Sequence, residues 1–141
     1  MTPLEHLKNW YDQVWVQQDL DAIDRFFTPD FEAQGVMDFG IGPEDFRALA
    51  EALLAQVEIN DIRFDRAVEM GDWVWATFTV FAVTLADQTP VQTTGQIMVR
   101  TKDGNAVEAY NQIDFLTFFE QLGYLPSDSL ALCLSGEGIA A

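Results

Sequence analysis

The chain has 141 residues, the length of one domain, and at this size about two-thirds of the unfolded surface can be buried. An apolar fraction of 49%, with 11 Phe and 4 Trp, excludes disorder, because disordered chains lack the apolar surface that offsets chain entropy. Lys and Arg number 7 against 23 Asp and Glu, and the net charge of −16 repels phosphate backbones and anionic lipid heads, so neither nucleic acid nor a membrane surface is an expected partner.

The first helix is announced by its start. Thr2 caps, Pro3 suits the first helical position and Glu5 completes a Thr-x-x-Glu capping box. Leu4, Leu7, Tyr11, Val14 and Trp15 follow at helical spacing. Asp19 opens a second, short helix with Leu20, Ile23 and Phe27 inward, and Thr28-Pro29 ends it. Phe31 to Met37 reads as a short strand. Gly40, Gly42 and Pro43 then turn the chain into a third helix, whose apolar stripe is Phe46, Leu49, Ala50, Leu53, Leu54 and Val57.

Strands follow. Ile62, Phe64, Val68 and Met70 alternate with charged residues up to Gly71-Asp72, a two-residue hairpin signal. Trp73 to Leu85 is apolar or Thr on both faces, as a strand covered on both sides requires. The longest apolar run of the chain, Trp73 to Ala86, is too short to span a bilayer. Val91 to Thr101, the signal Asp103-Gly104, and Ala106 to Ile113 complete the strands. A last helix is expected from about Asp114 to Leu122 with Gly123 as its stop, and a short amphipathic segment, Leu130 to Leu134, follows Pro126. Helices segregated from antiparallel strands mean an α+β fold, here a curved antiparallel sheet wrapped around the N-terminal helices, with a hollow at its open end. No repeat or linker interrupts residues 1–141, so one domain is expected.

The pieces Glu69-Met70-Gly71-Asp72-Trp73-Val74, Asp103-Gly104-Asn105-Ala106-Val107-Glu108-Ala109-Tyr110, and Asp114 followed by Phe118 to Gly123 carry a resemblance. In this order and spacing, the chain resembles the nuclear transport factor 2-like superfamily, in particular its SnoaL-like polyketide cyclase branch. That resemblance implies a cone-shaped α+β barrel of the cystatin-like kind. It does not imply one activity, since the superfamily holds isomerases, cyclases, dehydratases, epoxide hydrolases and noncatalytic binding or assembly domains.

Absences narrow the chemistry. His6 is the only histidine and sits in the first turn of a helix, so a Ser-His-Asp triad or a His-based metal site is not expected. Cys133 is the only cysteine, which excludes an intrachain disulfide, fits a reducing compartment and suggests a packed thiol. The N-terminal MTPLEHLKNW has no basic stretch before an apolar one, so a secretory signal is not expected and a cytoplasmic location is. What remains is carboxylate chemistry. A buried Asp or Glu has its pKa raised by desolvation and can move a proton next to a carbonyl, with a donor for the oxyanion and with no metal or cofactor.

The best-placed residues lie on the last strand, where Glu108, Tyr110, Gln112 and Asp114 share a face. A two-residue turn at Asp103-Gly104 pairs Thr101 with Ala106, then Val99 with Glu108, Ile97 with Tyr110, Gly95 with Gln112 and Thr93 with Asp114. The pocket face then joins Ile97, Val99 and Gly95 to those polar groups, and Gly95 leaves room opposite Gln112. A bulge in either hairpin exchanges the faces of one strand.

In the SnoaL-like pattern this strand reads Glu-x-Trp-x-x-x-Asp, and here it reads Glu108-x-Tyr110-x-x-x-Asp114. The resemblance makes Asp114 the catalytic acid/base candidate, with Tyr110 or Gln112 as oxyanion donor. The competing role for Asp114 is the N-cap of the following helix, and that for Glu108 is an ion pair with Arg100. Trp15, Tyr11 and Phe27 are candidate pocket walls. The epoxide hydrolase relatives imply an Asp-Arg-Asp arrangement, for which Arg63, Arg66 and Arg100 are available without two matching aspartates. Trp73, Trp75 and Phe81 fall on one face of their strand, and a homodimer through that outer face is expected. The functional alternatives are a cofactor-independent cyclase or isomerase acting on an apolar carbonyl compound, noncatalytic binding of a small apolar ligand, and a dimeric assembly module.

Overall fold

A computed structural model describes residues 1–139. Helix α1, Pro3–Tyr11, starts as its capping box dictates: the Glu5 amide donates to Thr2 Oγ1 at 3.2 Å and the Thr2 amide to Glu5 Oε2 at 2.9 Å. It runs straight into a π-helical turn, Asp12–Val16, closed by the Gln17 amide on the Asp12 carbonyl at 2.9 Å. Helix α2 is Ala22–Phe26 and α3 is Pro43–Leu54, with Pro43 at its first turn. The strand expected over Phe31–Met37 shrinks to β1, Ala33–Gln34, which pairs in parallel with β5 (Asn105–Ile113). Val57, expected on the stripe of α3, instead opens β2, Val57–Met70, because the helix stops at Leu54.

Strands β2, β3 (Trp73–Thr84), β4 (Pro90–Lys102) and β5 form an antiparallel meander, and the sheet order is β1-β5-β4-β3-β2. The sheet curves around the helices and stays open between its edge strands β1 and β2, which is the expected α+β fold. Bulges in β2, between Ile59 and Asp61 and between Phe64 and Arg66, accompany the bend. The β4–β5 turn is Asp103-Gly104, both at positive φ (53° and 81°), as a type I′ turn demands.

The α-helices cover the concave face. Leu7, Val14 and Ile23 from the helical layer and Val74 and Val99 from the sheet are fully buried there. A second apolar cluster, Val57, Ile59, Ala82, Val91 and Phe118, lies where α4 (Phe115–Leu122) closes on β4. On β3 the even-numbered residues Val74, Ala76, Phe78 and Ala82 point inward and Trp73, Trp75 and Phe81 lie on the outside. Among the described residues no helix is long and apolar enough to cross a membrane. Helix α5, Ser129–Leu134, carries Cys133 exposed rather than packed, because its neighbours Leu130 and Leu134 are exposed as well.

The β4–β5 register is the decisive departure from expectation. Thr101 does pair with Ala106, but the next pair is Arg100 with Glu108, leaving Val107 as a one-residue bulge. From there Met98 pairs with Tyr110, Ile97 with Asn111, Gln96 with Gln112 and Gly95 with Ile113. Because side chains alternate with period two, this single extra residue inverts which face of β5 meets the inward face of β4.

Candidate functional site

Between the α-helices and the sheet lies a cavity of about 90 Å³. Its helical wall holds Trp10, Tyr11 and Trp15 from α1 and the π turn, and Phe46, Leu49 and Leu53 from α3. The sheet contributes Ile59, Phe78, Ile97 and Val99, and β5 adds Ala109, Asn111 and Ile113. Among the described residues, no Asp, Glu, Lys, Arg or His lines it. Its polar groups are few. The Thr93 hydroxyl donates to the Asp114 carbonyl at 2.7 Å, and the Asn111 amide nitrogen to the Gln34 carbonyl at 3.4 Å. Burial pushes the Tyr11 phenol well above its ordinary value, so it stays a neutral hydroxyl. Gly95 does not open space: a Cβ there comes within 2.7 Å of the Phe78 ring, which fills the gap.

Of the residues expected in the pocket, Tyr11, Trp15, Phe27 and Ile97 line it. Glu108, Tyr110, Gln112 and Asp114 do not, and this corrects the expected face. The Val107 bulge turns Glu108, Tyr110 and Gln112 to the outer surface of the sheet. There the Tyr110 hydroxyl donates to Glu108 Oε2 at 2.5 Å and Arg100 Nε to Glu108 Oε1 at 3.3 Å. The Tyr110 hydrogen bond first, and Arg100 second, hold the Glu108 carboxyl below its usual range, while Glu108 holds the Tyr110 phenol above its own. A carboxylate so stabilised is a poor proton acceptor near neutral pH, the reverse of what buried acid/base chemistry requires.

Asp114 caps α4. Its Oδ1 accepts from the Thr117 amide at 3.0 Å and its Oδ2 from the Thr117 hydroxyl at 2.6 Å. It faces an outer cleft shared with Asp65, Thr77, Thr94, Gln96 and Gln112. An Asp-Arg-Asp arrangement does exist, but at Arg47, which reaches Asp21 at 2.8 Å and Asp24 at 3.6 Å. Both carboxylates are exposed and none of the three lines the cavity. Arg63 and Arg100, two of the arginines available for that role, instead each pair with one carboxylate, Asp65 and Glu108.

The SnoaL-like domain family matches residues 7–109, most of the chain, including the helical wall of the cavity and all of β2 to β4. The chain belongs to the SnoaL-like domain family. Solved structures share its fold. A candidate SnoaL-like polyketide cyclase from Jannaschia sp. CCS1 is 18% identical, with a TM-score of 0.70, over 88% of this chain and 93% of that one. IdmH, a candidate polyketide cyclase from Streptomyces antibioticus, is 18% identical with a TM-score of 0.69, over 87% of this chain and 99% of its own. A Catenulispora acidiphila protein with a ketosteroid isomerase-like fold, solved with trimethylamine, is 18% identical with a TM-score of 0.71, over 91% and 98%. No curated protein sequence matches the chain.

In this SnoaL-like domain sequence reasoning missed Trp10, Phe46 as a cavity wall, Thr93 and Asn111. Trp10 was within reach, since it lies three residues after Leu7 and four before Val14, on the buried stripe of α1. Asn111 had no local signal, and its cavity position follows from the shifted register alone. Thr93 shares the inward period-two face of β4 with Ile97 and Val99, so its place was within reach as well.

Proposed function

We propose that this SnoaL-like domain holds a small, largely apolar molecule in the cavity between its helices and its sheet. One observation carries the reading: a cavity walled by aromatic and aliphatic side chains contains no charged group and only a few polar ones. Its volume of about 90 Å³ is of the order that an apolar ring fills; engineered cavities of about 150 Å³ take up benzene. A larger ligand would require the half-buried Trp15, Leu49, Leu53 or Phe115 on the wall to swing aside.

A cyclase or isomerase role is the second reading, favoured by the structural likeness to a candidate polyketide cyclase from Streptomyces antibioticus. With no carboxylate on the cavity wall, the domain would then act by confining a reactive substrate rather than by moving its proton. Fused-ring ketones and fatty carbonyl compounds, screened by thermal shift and for turnover by mass spectrometry, separate the two. Binding without turnover, unchanged in Asp114→Asn and lost in the cavity-filling Ala109→Phe, is the expected outcome, since bound ligand raises stability by mass action. Absence of any shift, or turnover that disappears in Asp114→Asn, sinks it.

The outer sheet face is proposed as the contact with a second copy. Trp75, Met98 and Tyr110 lie exposed there, although Arg100 and Arg63 partly cover Trp73 and Phe81 by stacking on their rings. Trp75→Glu should convert a dimer to a monomer in sedimentation; an unchanged mass removes the proposal.

A further inference from the structure

The indole of Trp10 is the one buried side-chain donor among the described residues with no hydrogen-bond partner. Trp10 is 4% exposed and lines the cavity. A buried Trp N–H normally finds a partner, because leaving a donor unpaired costs the desolvation of that group. The surroundings supply none. Tyr11, Phe26, Phe27 and Phe46 surround the indole with ring centroids 5.0–5.4 Å away. The polar side chains elsewhere on the cavity wall, Thr93 and Asn111, donate to the carbonyls of Asp114 and Gln34, and neither accepts from the indole.

Water is a poor solution to this vacancy in the bonding pattern. A buried water needs two to four polar partners, and the four rings around Trp10 carry one polar group between them, the Tyr11 hydroxyl. A ligand whose apolar body fills the cavity and whose single oxygen accepts one hydrogen bond satisfies both requirements at once.

We infer that the cavity selects a ligand bearing a neutral hydrogen-bond acceptor, a ketone, aldehyde or ether oxygen on a compact hydrocarbon body, and that the Trp10 indole N–H is the residue that reads it. The inference rests on the cavity-binding reading and adds to it a ligand class and a specificity-determining residue. A charged carboxylate is excluded from the class because the cavity holds no cation to offset its desolvation. A hydrocarbon of the same shape fills the cavity but leaves the donor unpaired, and sites with such a buried polar group discriminate against the analogue that lacks the matching one.

The test compares two probes of matched shape, acetophenone and α-methylstyrene, in which the carbonyl oxygen of the first is a methylene group in the second. Dissociation constants are measured by isothermal titration calorimetry on the wild type and on Trp10→Phe, which removes the N–H and keeps an aromatic ring. The preference for acetophenone over α-methylstyrene should fall about tenfold in the variant, equivalent to about 1.4 kcal/mol. If both probes bind and their ratio is the same in the two proteins, the assignment to Trp10 is overturned while cavity binding stands. If neither probe binds the wild type, cavity binding fails and takes the assignment with it. Should Trp10→Phe not fold, the wild type still decides. Acetophenone, and not α-methylstyrene, must move the Trp10 indole N–H resonance downfield in a nitrogen–proton correlation spectrum, and equal or absent shifts with both probes refute the inference.

Discussion

The two faces of the β4–β5 pair are built from neighbouring residues yet obey opposite rules. Inward, Ile97, Val99, Ala109 and Asn111 meet the helices in a space without a charge. Outward, Arg100, Glu108 and Tyr110 form a hydrogen-bonded ionic patch, and Met98 and Gln112 lie exposed beside it. The same nine-residue strand supplies both, and the Val107 bulge decides which residues go where. A functional motif read along one strand therefore carries no information about its side of the sheet until the register is known.

Moving a charge from one face to the other attacks that difference most directly. Ala109→Glu puts a carboxylate on the buried inward face of β5, and an unpaired buried charge costs several kcal/mol out of a total stability of about 5–15 kcal/mol. That variant should lose its cooperative thermal transition by circular dichroism, whereas Met98→Glu, on the outward face of β4, should keep it. Loss in both variants, or in neither, would show that the register does not set the faces. A smaller effect is expected at Asp114. Asp114→Ala should cost about 0.5–2 kcal/mol in urea unfolding through loss of the α4 cap, while Asp114→Asn, which can still cap, should cost less. Equal losses in the two would detach the effect from capping.

The smallest effect concerns pH on the outer face. Glu108 has a depressed pKa in the folded chain, so its contribution to stability is present above the ordinary carboxylate value and declines as the pH falls through the folded value. The gap in melting temperature between wild type and Glu108→Gln should therefore shrink from about pH 6 to about pH 3, followed by scanning calorimetry. A gap that stays constant would mean that the Tyr110 and Arg100 contacts do not favour the ionised carboxyl in solution.

Much of the architecture was legible because it rests on local chemistry. The Thr2–Glu5 box, Pro43 at the start of α3, the Asp103-Gly104 turn and the Gly123 stop each act within a few residues, and each stands where the sequence places it. Tyr11, Trp15, Phe27 and Ile97 also reached the cavity as expected, since helical and strand periodicity select an inward face when no irregularity intervenes. The quartet from Glu108 to Asp114 failed for one reason. A bulge has no strong residue signature here, and Val107 reads as an ordinary strand residue. The strand expected at Phe31–Met37 failed for another. Gly35 adopts a φ of 95° against the backbone of Asn111, and pairing ends there.

By itself, the sequence determined the order of helices and strands, their caps and turns, and an interior rich in aromatic side chains. These follow from short-range hydrogen bonds and from the periodicity with which apolar residues recur. Tertiary structure alone decided that the acidic and phenolic groups of β5 face outward, that Asp114 lies off the cavity wall, and that the Trp10 N–H is walled in by rings. Each depends on which distant segments meet. In strands whose side chains alternate with period two, one added residue is enough to reverse that meeting.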